Sequence, residues 1–286
     1  GIIGGNNSST GSSSSLTNYR LIIESGRYDT LSVATGQYNS TSLRPYISAS
    51  SIYGSDYDKV TGNNDSLVVF YCASGSWGGY IYSSSNTKML ISSVIKSGSF
   101  GTGKYTYSTG VYVGGRGFGA QYAPREMVVE GGWIYNLIGG PSSNENKPDN
   151  NEVYINIKGG SVDLVVGGAG ASATTGNRII NITGGVVNYA VFGGSNGYSG
   201  SDTGSYRGTL NGSTFIYVGG NAVIGDETLI NNNSNLYGEE AGSVFGIGNG
   251  NSNSSKIGTA ETSNIIIDGN AVIKRNVYGG GNYGAV

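Results

Sequence analysis

Histidine is absent from the 286-residue chain, and cysteine occurs once, as Cys72. Without histidine the usual base of a serine hydrolase is missing, and so is the commonest metal ligand. One cysteine forms no internal disulfide and builds no thiolate metal site. In SLVVFYCAS, Cys72 is expected to be a small buried side chain. Proline is limited to four residues and charge to 12%, against about 25% in ordinary soluble domains. No basic cluster exceeds Lys274-Arg275, which excludes a nucleic-acid partner, because phosphates need several cations in line. The longest apolar stretch, Leu67 to Ala73, is far short of the ~20 residues of a spanning helix, so no membrane span is expected. The chain begins at Gly1, with neither an initiator Met nor a signal peptide, and reads as a processed or partial chain.

What is present is glycine, 52 residues of it, together with 22 tyrosines and many short Val/Ile runs. Glycine shows no three-residue period, so collagen is excluded. The apolar runs supply surface that disordered chains lack. From 125 to 286 a strand followed by glycine recurs: MVVEGGWI, INIKGGSV, INITGGVV, IYVGGNAV and IIDGNAVI. Aligned on Gly132, Gly160, Gly185, Gly220 and Gly269, the intervals are 28, 25, 35 and 49 residues. A preserved core with irregular spacing describes stacked units that carry loops of different length.

Within a unit, Ile155 and Ile157 flank Asn156, and Ile180 and Ile182 flank Asn181, the period-2 pattern of a half-buried strand. Glycine then turns the chain into a second short strand such as Ser161 to Val166, and another glycine pair turns it again. Nothing has helical spacing, and helix content is expected to be close to nil. The expected fold is therefore all-β, a parallel β-helix (β-solenoid) with glycine corners and variable loops. Aligning the glycines predicts an inward column of Ile134, Val162, Val187, Ala222 and Ala271, and sets Glu130 beside Lys158 on consecutive coils. Residues 125–286 carry the regular repeats. Residues 1–124 form an irregular Tyr/Ser-rich β region, read as coils with long loops, with a separate β-sandwich as the rival.

The strand–glycine–strand phrase running from Ile265 through VYGGGNYG at 277–284 resembles the glycine-rich repeats of adhesin-like β-helix proteins of bacterial cell surfaces. That resemblance covers the last 160 or so residues and implies surface or matrix structure, with no catalytic motif to carry over.

The residues themselves offer little chemistry. The close carboxylate sets, Asp56/Asp58, Asp149/Glu152, Asp226/Glu227 and Glu239/Glu240, lie among Gly, Asn and Ser and read as solvated turns, with calcium as the functional alternative. The GGxGxDxUx calcium repeat, a GxSxG elbow and a phosphate-cradling GxxxxGK[ST] loop are all missing. No cofactor or metal is expected. Trp77, Tyr80 and Tyr82 in GSWGGYIYSSS form the candidate carbohydrate-contact patch, weighed against simple packing over the fold. Eight Asn-x-Ser/Thr matches are close to the roughly six that composition predicts, and carry no information about glycosylation.

The expected function is a non-enzymatic structural subunit of an extracellular or cell-surface filament or matrix. Its partner is itself: Ile2 and Ile3 in the opening GIIGGNN read as the second half of a unit, to be completed by Val277 and Tyr278 of the next copy in a head-to-tail homopolymer. An adhesin or carbohydrate-binding protein with glycan partners is the alternative, and a polysaccharide-degrading enzyme a distant third.

Overall fold

A computed structural model describes residues 22–23, 72–74, 91–95, 99–100, 109–113, 125–140, 152–169, 174–195, 209–231, 240–249, 258–282 and 284–285. Ile2, Ile3, Trp77, Tyr80 and Tyr82 lie outside the described residues. The protein is all-β, and nearly all of its strand pairs are parallel. Among the described residues the single helix is Glu227–Asn231, five residues long, and no helix is long and apolar enough to cross a membrane.

Two sheets hold most of the described strands. The first runs Ile22–Ile23, Ile91–Ile95, Arg125–Val129, Val153–Ile157, Arg178–Ile182, Ser213–Val218 and Thr262–Ile267, each strand parallel to its neighbour. From Arg125–Val129 onward, each of these strands turns into a strand of the second. Its rungs are Trp133–Ile138, Ser161–Val166 and Val186–Phe192, then Val223–Ile224 with Ser243–Phe245, and finally Val272–Ile273 with Val277–Tyr278. On its other side Thr109–Tyr112 continues it in parallel, and Cys72–Ser74 then pairs with Thr109–Tyr112 antiparallel, a departure from the all-parallel stack expected. Short parallel pairs, Thr174–Thr175 with Leu210–Asn211 and Gly258–Thr259 with Gly284–Ala285, form a third line of contact.

Alternation places the core between the sheets. In the first sheet Val153, Ile155 and Ile157 are buried while Tyr154 and Asn156 face outward, and Arg178, Ile180 and Ile182 repeat the pattern. The aliphatic side chains among them, Val153, Ile155, Ile157, Ile180 and Ile182, meet Ile134, Val162, Val187 and Ile224 of the second sheet in one apolar cluster. Each fully buried Ile or Val contributes about 1.5–3 kcal/mol through lost contact with water. Outward polar groups also bond from strand to strand: Asn181 Nδ2 donates to its register partner Asn156 Oδ1 at 2.8 Å, and Asn156 Nδ2 donates diagonally to Glu126 Oε1 at 2.8 Å. Lys158 Nζ lies 3.8 Å from Glu130 Oε1, as the alignment placed them. Both side chains are exposed, so the pair adds little to stability.

The corners use glycine for two different reasons. At the turn from first to second sheet, Gly160 and Gly185 have φ of +77° and +74°, a region that β-branched residues avoid. At the far end of the second sheet the reason is close approach. A Cβ on Gly139 would overlap the Gly167 carbonyl, one on Gly167 that of Gly193, and one on Gly193 that of Gly246. The backbone ladder passes straight through this column, with Gly139 N donating to Val166 O and Gly167 N to Phe192 O, each at 2.8 Å.

The predicted inward column is correct for Ile134, Val162 and Val187 and wrong for Ala222 and Ala271. Val187 pairs with Ile224, and Ile224 with Ile273. Three residues separate Ile182 from Val186, but four separate Val218 from Val223, where Ala222 N bonds back to Gly219 O at 3.2 Å in a tight turn. That extra residue, with the glycine standing one place earlier, moves the register by two. Ala222 fills the corner and Ile224 takes the core position.

A Cβ on Gly185 would stand 2.6 Å from Gly160 O, on top of its left-handed backbone. Gly185→Val is therefore expected to lower the unfolding free energy by about 2 kcal/mol or more, whereas Thr183→Val, at an exposed corner position, should stay within about 0.5 kcal/mol of the parent. Chemical denaturation followed by circular dichroism measures both, and equal midpoints for Gly185→Val and the parent would refute the corner assignment.

Candidate functional site

The outward face of the second sheet carries the densest set of functional side chains. Trp133 and Tyr135, two apart on one strand, project to the same side and stack with ring centroids 5.4 Å apart and planes 12° apart. Trp133 is 42% exposed. On the next rung Ser161 and Asp163 follow the same alternation. On the rung after that the register slips: Val187 pairs with Val162 and Ala190 with Leu164, so Asn188 and Tyr189 together oppose Asp163. This is a β-bulge, and it turns Asn188 outward while burying Tyr189.

The bulge builds a hydrogen-bonded row across three rungs. Asp163 Oδ1 accepts from Trp133 Nε1 at 3.0 Å and from Asn188 Nδ2 at 2.7 Å, and Asn188 Nδ2 also lies 2.8 Å from Ser161 Oγ. Asp163, only 2% exposed, is thus a buried acceptor served from the rungs on both sides.

One rung further, the bulge widens into an excursion, residues 225–242, between Val223–Ile224 and Ser243–Phe245. Its two ends are pinned to the bulge beneath: Gly225 N bonds Val187 O at 2.7 Å, Asp226 N bonds Asn188 O at 2.8 Å, and Gly242 N bonds Tyr189 O at 2.6 Å. Asp226 caps the short helix, its Oδ1 accepting from Thr228 N at 2.7 Å and Thr228 Oγ1 at 2.5 Å. Those hydrogen bonds, the Thr228 hydroxyl first, hold the Asp226 carboxyl below its ordinary pKa. Val186, Asn188, Val223, Gly225, Asp226, Glu227 and Lys274 line a cleft of about 500 Å³. Lys274 Nζ closes one side at 3.2 Å from Glu227 Oε1.

The returning end of the excursion is anchored from behind. Tyr189 Oη donates to Glu240 Oε2 at 2.5 Å, Asn282 Nδ2 donates to Glu240 Oε1, and Asn282 Nδ2 also reaches Asn249 Oδ1 at 3.0 Å. Leu229 and Ile230 pack on a second apolar cluster that includes Tyr189, Ala190, Phe192 and Phe245. Burial raises the Glu240 pKa above its ordinary 4.5, against the opposing pull of the Tyr189 and Asn282 hydrogen bonds.

Of the residues predicted from sequence, Val277 and Tyr278 are strand residues on the last rung of the second sheet, 46% and 37% exposed. Tyr278 stacks on Phe245 at 4.9 Å, and Phe245 on Phe192 at 4.9 Å. Asp226 and Glu227, read as a solvated turn, form a helix cap and a cleft wall. Trp133, Tyr135, Asp163 and Asn188 were not singled out as a site. Trp133 is one of only two tryptophans and stands two residues from Tyr135, a signal open to inspection; the bulge that presents Asn188 leaves no trace in the spacing. Among the described residues no group of three His, Cys, Asp or Glu side chains could hold a metal ion. What the row and cleft offer is a stacking surface and hydrogen-bonding groups. No protein-family model matches the chain, and no curated protein or solved structure matches it.

Because the folded state raises the Glu240 pKa, it binds that proton more tightly than the unfolded chain does. The resulting stabilisation is full below about pH 4.5 and is lost as pH rises through the folded value. Glu240→Gln should remove this part of the pH dependence. Melting temperatures recorded from pH 4.5 upward should fall more steeply for the parent than for the variant, and parallel curves would contradict the burial of this carboxyl.

Proposed function

We propose that the chain is a non-enzymatic structural subunit of an extracellular or cell-surface filament or matrix, built as a parallel β-solenoid and joining head to tail with copies of itself. The observation that carries this reading is the last rung. Thr262–Ile267, Val272–Ile273 and Val277–Tyr278 pair in parallel with the rung beneath without a register shift. Yet Ile267 is 41% exposed where its partner Val218 is buried, and Val277 is 46% exposed where Val244 is buried. Among the described residues Thr262–Ile267 has a strand on one side only, so its other edge presents free backbone donors and acceptors above an uncovered apolar column. A further parallel strand satisfies both, and on this reading a second copy supplies it. Such a contact is heterologous and propagates instead of closing.

Further support comes from composition, low in charge and rich in Ser, Asn, Gly and Tyr, and from the resemblance of the VYGGGNYG phrase to glycine-rich repeats of bacterial surface proteins. The absence of histidine and the engagement of Asp163, Asp226 and Glu240 as acceptors within the fold favour a structural over a catalytic role.

Ile267→Lys combined with Val277→Lys places two cations on the open rung. Sedimentation velocity over a range of concentrations should show growing assemblies for the parent and a single 29.4 kDa species for the double variant. A parent that stays monomeric at every concentration, or a variant that assembles equally well, overturns the reading.

A further inference from the structure

We propose that the row from Trp133 and Tyr135 through Asp163 and Asn188 into the cleft at Asp226, Glu227 and Lys274 binds a segment of neutral polysaccharide. This goes beyond the structural role and does not depend on self-assembly.

Trp133 stands out on this face. It is the largest side chain on its face, at a position where the following rungs place Ser161, Val186 and Val223, and it is 42% exposed. Its ring is nevertheless fixed in place. The Nε1 hydrogen bond to the buried Asp163 sets its orientation, and the stack on Tyr135 backs it. A rigid, partly wet aromatic plane with polar groups beside it matches a sugar ring, which has an apolar C–H face and a hydroxyl rim. Pre-organisation also reduces the entropy lost on binding.

The site is long in one direction. From the rung of Trp133 to that of Asp226 is three rung spacings, about 14 Å at about 4.8 Å each. Asn188, joined to Asp163 and also lining the cleft, links the aromatic end to the polar end. An extended chain lying across the strands meets a stacking plane first and carboxylate and amide acceptors further on. Charge selects among such chains. The cleft is lined by Asp226 and Glu227 against Lys274 alone, and Lys274 is already within 3.2 Å of Glu227. Uronate or sulfated chains would meet net negative charge, whereas neutral hydroxyls find acceptors.

Isothermal titration calorimetry of the full chain with cello-, xylo- and manno-hexasaccharides, with oligogalacturonate as the acidic counterpart, tests this. At least one neutral hexasaccharide should bind saturably and oligogalacturonate more weakly. Trp133→Ala should weaken that binding about tenfold or more, Trp133→Phe should retain an intermediate affinity, and Phe215→Ala, at an exposed aromatic on the first sheet, should leave it unchanged. Thermal melts of the Trp133 variants close to the parent's separate lost contact from lost fold. The Ile267→Lys/Val277→Lys double variant should bind sugar like the parent, so the site and the assembly reading fail independently. The proposal is overturned by any of four results: no neutral sugar binds, Trp133→Ala binds normally, oligogalacturonate binds best, or an oligolysine peptide binds where no sugar does.

Discussion

Each rung must lie about 4.8 Å from the next in both sheets at once, because the hydrogen bonds that join parallel strands admit no other spacing. The remaining features follow from that constraint. Where the chain turns between sheets, its backbone must stay as close to the neighbouring rung as it is inside a strand. At Gly139, Gly167 and Gly193 there is no volume left for a Cβ. The glycine content that sets this sequence apart is therefore a consequence of stacking, and at Gly160 and Gly185 of backbone hand as well. The same constraint aligns like with like: Asn156 above Asn181, and Phe192, Phe245 and Tyr278 in one aromatic stack.

A stack held this tightly can differ from rung to rung only where the ladder is interrupted. On the second sheet the number of residues between the two paired stretches grows at one place from rung to rung. A single residue, Asp163, stands between Val162 and Leu164; two, Asn188 and Tyr189, between Val187 and Ala190; and the whole excursion between Ile224 and Ser243. The ladder resumes in register beyond each insertion, so the core is undisturbed while the outward face gains a bulge, a helix cap and a cleft. The polar groups gathered there are pinned by backbone bonds from 187–189, which makes the cleft wall an extension of the sheet and not a free loop.

The all-β character was legible because strand alternation and corner glycines are local. Ile155-Asn156-Ile157 and Ile180-Asn181-Ile182 declare their inward and outward faces without reference to anything else, and the structure buries them as read. Register was less legible. Gly220 and Gly269 invite alignment with Gly160 and Gly185, but a corner one residue longer shifts the strand after it, and Ile224 replaces Ala222 in the core column. A motif marks a turn without counting the residues in it. The site was the least legible part, since Trp133, Asp163 and Asn188 come from three units and meet only through stacking.

What the sequence by itself determined is thus the kind of structure: glycine where no side chain fits, and alternating Ile and Val where one face is buried. These are properties of single positions and near neighbours. Only the tertiary structure decided which residue lies above which, that a bulge turns Asn188 toward Asp163, and that Asp226, Glu227 and Lys274 share one cleft. The physical reason is that rung-to-rung partners are separated by 25 or more residues of chain, 25 for Asn156 with Asn181 and 49 for Ser213 with Thr262. Over such separations the backbone hydrogen-bond ladder, and not local preference, sets which side chains touch.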